Sequence, residues 1–114
     1  MEKFCEYIEA KISELSAKEK NLAENYRQDE AVFAKIENNV YEICKTVFGV
    51  FKKVKPEENF YDEYLKKLDE FKKTWSDSLE KAKRFGDTEK SAAEEAKLSA
   101  LGDIRVKFIE FRGE

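Results

Sequence analysis

The side chains through which this chain could do chemistry are few. They are Cys5 and Cys44, the paired acids Glu57–Glu58 and Glu94–Glu95, the lysine group Lys45, Lys52, Lys53 and Lys55, and an aromatic set around Trp75. None of the 114 residues is histidine. That absence removes Ser-His-Asp and Cys-His nucleophile systems, imidazole metal sites and the Glu-x-x-His ligand pairs of carboxylate di-iron bundles. No Gly-x-x-x-x-Gly-Lys or Gly-x-Gly-x-x-Gly run is present to cradle a phosphate. The paired acids lack the Gly-centred loop of a calcium site and read as solvated surface. No catalytic residue, cofactor or metal is expected, and the chain reads as non-enzymatic.

Charge excludes further partners. Lys and Arg number 22 against 25 Asp and Glu, a net charge of −3 with both signs mixed along the chain. A nucleic-acid binder would carry a basic domain or stripe, and the lysine group is better explained as cations gathered at a helix C-terminus. No run reaches the roughly 18–20 apolar residues of a membrane span. The start of the chain has no basic region followed by an apolar one, and Glu2 stands where myristoylation requires glycine. Cytoplasmic residence is the expectation, with no nucleic acid and no membrane.

The elements that position these side chains follow from spacing. Glycine and proline together number only five, so turns are few and helices long. With Cys5 as position a, one heptad phase runs through the first half. Its a positions are Cys5, Ile12, Glu19, Tyr26, Phe33, Val40, Val47 and Val54, and its d positions are Ile8, Leu15, Leu22, Asp29, Ile36, Ile43 and Val50. Two readings fit: one helix of about 50 residues, roughly 75 Å long, or a hairpin turning within Asn25–Asp29. The hairpin is favoured, because a rod would leave its aromatics without partners. A turn at Asn25 would set Cys5 opposite Cys44. A turn nearer Arg27 would offset them by about five residues, roughly 7 Å, too far for an unstrained disulfide.

Pro56 marks the next boundary, with Asn59 a candidate cap for a helix starting between Glu57 and Phe60. That helix presents Tyr61, Tyr64, Leu65, Leu68, Phe71, Trp75, Leu79, Ala82 and Phe85 on one side. The other side carries acid-before-base pairs at i,i+4: Asp62–Lys66, Glu63–Lys67, Asp69–Lys73, Asp77–Lys81 and Glu80–Arg84. Gly86 closes it, and Asp87 or Thr88 caps a last helix. Alternation of Ile104, Val106 and Phe108 would also fit a strand, although a lone strand has no partner in a helical chain. The expected fold is all-α: an antiparallel bundle of three or four long helices over approximately 2–25, 29–54, 58–85 and 88–111, in one domain, 1–114, that self-associates.

Two of these helices carry more apolar surface than a narrow stripe needs. On the second, Tyr41, Phe48 and Phe51 fall off the a/d seam; on the fourth, Leu98, Val106 and Ile109 fall outside the main stripe. The second helix could be the central one of a four-helix monomer, with three neighbours. The surplus on two helices is more simply satisfied across a two-fold interface, which predicts a homodimer or other homo-oligomer with these six residues as the candidate interface. Asn38, Asn39 and Tyr41 are candidates for hydrogen bonding across it. The alternative is a small apolar ligand in a pocket lined by Phe48, Tyr64, Phe71 and Trp75, although an aromatic stripe at helical spacing is more often plain core.

Overall fold

The computed structural model describes residues 1–112; Gly113 and Glu114 lie outside the described residues. Four helices follow one another: α1 (Glu2–Glu24), α2 (Gln28–Val54), α3 (Glu57–Arg84) and α4 (Thr88–Arg112), with no strand among the described residues. The first half is therefore a hairpin, and Ile104–Phe108 lies within a helix. α2 packs against all three other helices, α1 also meets α4, and α1 reaches α3 through side chains alone, Phe4 against Tyr64 at 6.2 Å. The extents of 45 × 34 × 21 Å make a slab about two helices thick.

Each boundary has a local cause. At the first turn Tyr26 takes φ 59°, and the Arg27 amide donates to the Leu22 carbonyl at 2.8 Å. At the third, Gly86 takes φ 70° and the Asp87 amide donates to the Ala82 carbonyl at 2.9 Å. Both are the same left-handed helix stop, but only one has the residue suited to it. Tyr26 is 94% exposed, so its ring returns little for a strained backbone. Tyr26→Gly is expected to raise the unfolding free energy by about 0.5–1 kcal/mol, read as a higher urea midpoint at unchanged slope. Asp87 caps α4, its Oδ1 accepting the Lys90 amide at 2.9 Å. Asn59 caps nothing: Pro56 is the N-cap residue of α3, so Asn59 lies in the first turn.

The core is uneven along its length. At one end Phe4, Phe48, Phe60, Tyr64 and Phe108, drawn from all four helices, meet ring against ring. Tyr64 is fully buried and donates its hydroxyl to the Cys44 carbonyl at 2.8 Å, tying α3 to α2. At the other end the cores separate. Leu22, Ala31 and Ala34 form a small cluster confined to the α1–α2 tip. Large rings therefore join the two hairpins where α1 and α3 begin, and the first hairpin's tip has a small core of its own.

The surface charges of α3 are spent differently from the spacing rule. Of the five i,i+4 pairs, Glu80–Arg84 forms, at 2.9 Å. Asp69 instead reaches Arg105 on α4 at 2.9 Å, and Glu63 reaches Lys55 at 3.9 Å. A cation on a neighbouring element competes with one on the same helix, and the local rule ignores neighbours.

Candidate interaction surface

The heptad phase that covers the first half serves opposite purposes in its two helices. In α1 it faces the core: Ile8, Leu15 and Leu22 are buried. In α2 the buried side is Ala31, Ala34, Asn38, Val40, Tyr41, Cys44 and Phe48, and only Val40 of the a/d series is among them. The rest of that series lies outside. Ile43 is 42% exposed, Val50 51% and Val54 66%, with Ile36 and Val47 half-buried. Tyr26 sits in the turn itself, so the unbroken phase across the hairpin is a coincidence of turn length.

This placement reverses the assignment made from spacing. Tyr41 and Phe48, expected at an interface, are 4% and 5% exposed and belong to the chain's own core; Phe51 is half-buried against it. The reason is size: an aromatic ring removes on the order of 150–250 Å² from water, so the ring-bearing side of α2 turns inward and the valine side is left. α2 is the central helix with three neighbours, and its rings are satisfied within one chain. On α4, Val106 (60%) and Ile109 (44%) are exposed and Leu98 is half-buried.

The polar residues singled out on α2 separate. Asn38 donates to Ser16 Oγ of α1 at 3.2 Å, inside the hairpin. Asn39 is exposed and borders a shallow depression over Glu42, Ile43, Thr46 and Val47. Tyr41 donates to Asp103 Oδ2 at 2.5 Å, and Tyr7 donates to the same oxygen at 2.7 Å. One carboxylate of α4 thus holds hydroxyls from α1 and α2. Spacing did not point to Asp103, because its partners lie 62 and 96 residues away. Burial, reinforced by the Asp103 hydrogen bond and charge, raises both phenols well above the ordinary tyrosine range, so each is a donor at neutral pH. Asp103→Ala strands the buried Tyr41 hydroxyl and should cost about 2 kcal/mol. In a double-mutant cycle, Tyr41→Phe should recover part of that loss; additive losses would mean the bond contributes nothing.

The remaining candidates for chemistry are placed as structure. Both cysteines are free. Glu9 pairs with Lys45 at 3.5 Å and Ser16 with Asn38, so the hairpin is centred near residue 27 and the thiols are offset, as a turn near Arg27 requires. Burial pushes the Cys44 thiol up to about 12 and raises Cys5 as well, which opposes thiolate chemistry. Glu94 is buried with Lys97 at 3.1 Å while Glu95 reaches Lys83 at 3.6 Å, so the adjacent acids serve different partners. No metal-capable cluster occurs among the described residues. The lysine group disperses: Lys45 to Glu9, Lys52 over the Phe48 ring, Lys55 to Glu63 and over Phe51.

Of the residues proposed for a ligand pocket, Phe48 and Tyr64 meet edge-on at 5.4 Å within the core. Phe71 and Trp75 stack on each other at 5.4 Å, with Lys67 over Phe71 and Lys97 over Trp75. The rings form two separate pairs. A surface groove of about 570 Å³ lies instead between the hairpin tips, lined by Asp29, Val32, Phe33 and Ile36 of α2 and Asp87, Glu89, Lys90 and Ala93 at the start of α4. No described helix is long and apolar enough to cross a membrane. No protein-family model, curated protein or solved structure matches the chain.

Proposed function

We propose that this protein is a non-enzymatic helical interaction protein that pairs with a second copy of itself along the outer face of α2. The observation that carries the reading is the outward series Ile43, Val47, Val50 and Val54, exposed except at the half-buried Val47. Its 3- and 4-residue steps are those of a coiled-coil seam, with valine at each a position and isoleucine or valine at each d position. The occupant best matched to such a seam is another copy of it, because a two-fold axis lets one patch cover itself. The series spans 12 residues, about 18 Å of helix, long enough for four layers of side chains. The reading includes no cofactor and no nucleic acid, and residence in the cytoplasm, where Cys5 and Cys44 stay reduced.

The double variant Ile43→Lys/Val50→Lys tests it. Both positions are exposed, so the variant should keep its helical circular dichroism while its light-scattering mass falls from two chains to one. A variant that stays folded and keeps the wild-type mass would place the contact elsewhere, first on the Val106–Ile109 side of α4.

A further inference from the structure

The groove between the hairpin tips is a second apolar surface, set apart from the Ile43–Val54 seam. Its floor holds Val32 (52% exposed), Phe33 (36% exposed), Ile36 and Ala93, and its rim carries three carboxylates against one lysine. Asp87 is used locally, as the cap of α4. Asp29 and Glu89 have no ion-pair partner among the described residues, whereas eleven other acids of the chain do, among them Glu63, Asp69 and Glu95. An acid in a first turn stabilises its own helix, but that effect leaves the carboxylate free to meet a cation from outside. The two walls are the starts of α2 and α4, which run side by side in the same direction.

From this we infer that the groove docks a basic amphipathic helix of a partner protein. Apolar side chains at i, i+3, i+4 and i+7 would enter between Val32, Phe33 and Ala93, and flanking lysines or arginines would meet Asp29 and Glu89. The volume of about 570 Å³ suits a few apolar side chains entering from an open side. The sign of the rim selects the partner: an acidic helix of equal hydrophobicity meets carboxylates and is repelled.

The test uses two labelled synthetic peptides, one of leucine and lysine with leucines at i, i+3, i+4 and i+7, the other with every lysine replaced by glutamate. Fluorescence anisotropy with the full chain should show the lysine peptide binding and the glutamate peptide not. Asp29→Lys/Glu89→Lys should weaken the lysine peptide by about tenfold or more and admit the glutamate peptide. Glu57→Lys/Glu58→Lys makes the same change in net charge at the opposite end and should leave both results as they were. Equal binding of the two peptides, or an equal loss from the Glu57/Glu58 variant, would overturn the inference. Phe33→Asp should abolish peptide binding without altering the mass of the protein. If it halves that mass, the occupant is a second copy and the inference fails, whereas loss of self-association in Ile43→Lys/Val50→Lys leaves it standing.

Discussion

Phe108→Ala should lower the unfolding free energy by about 3–5 kcal/mol, the largest loss expected from any single truncation in the chain. Phe108 is fully buried near the end of α4 and meets Tyr64 at 4.7 Å, Phe4 at 5.2 Å and Tyr61 at 5.5 Å, with Phe60 and Phe48 at 6.2 and 6.5 Å. Those neighbours come from the three other helices. The substitution therefore removes transfer energy, leaves a cavity among rings too large to collapse into it, and loosens the contact that joins the two hairpins. A small domain has only about 5–15 kcal/mol in total, so the variant should sit near its unfolding limit. Phe85→Ala, at a residue 77% exposed, should change stability by less than about 0.5 kcal/mol. Urea titration compares the two. A loss below about 1 kcal/mol at Phe108 would mean the ring cluster is not what holds the hairpins together.

The second large effect is alkaline unfolding. Desolvation raises Tyr41, Tyr64 and Cys44 in the folded chain, with Asp103 adding to the effect on Tyr41. Their ordinary values are 10.0 for the tyrosines and 9.0 for the cysteine. Above those values the unfolded chain releases protons that the folded chain retains, so stability falls with rising pH. The contribution of these groups is fully present below pH 9, begins to fall as Cys44 ionises in the unfolded state, and falls faster above pH 10. Each group contributes a slope of about 1.4 kcal/mol per pH unit, so these three give about 4 kcal/mol per unit, and Tyr7, raised by the same causes as Tyr41, adds to it. Tyr64→Phe should make the fall shallower by about 1.4 kcal/mol per pH unit above pH 10. Urea midpoints followed from neutral to alkaline pH, with tyrosinate absorbance on the same samples, check the sign and the steepness. Tyrosines that ionise near pH 10 while the fold stays intact would contradict the burial described for them. Without histidine, no side chain has an ordinary pKa near neutrality, so the curve should be flat there.

The parts of this fold that were legible in the sequence are those set by short-range rules. Pro56, Gly86 and the apolar spacing of α3 gave boundaries to within a residue or two, because a breaker acts on its own neighbours. Tyr26 was harder, since nothing about a tyrosine announces a left-handed turn; only the absence of partners for a 75 Å rod argued for a hairpin. The inner face of α2 was misread for a physical reason. Heptad spacing reports that two apolar stripes exist but not which one the neighbours take, and the rings of Tyr41 and Phe48 outweighed the valines. Asp103 was invisible because a hydrogen bond between residues far apart leaves no local periodicity. The groove brings together residues about 60 positions apart in the chain, Asp29–Ile36 and Asp87–Ala93, so no local pattern announces it.

What the exposed valines do is the central claim, and the mass of the protein in solution tests it most directly. Sedimentation equilibrium on the wild-type chain at tens of micromolar should give twice the 13.4 kDa of one chain and, on dilution, a smooth return toward one. A mass of 13.4 kDa across the whole concentration range would contradict self-pairing through α2.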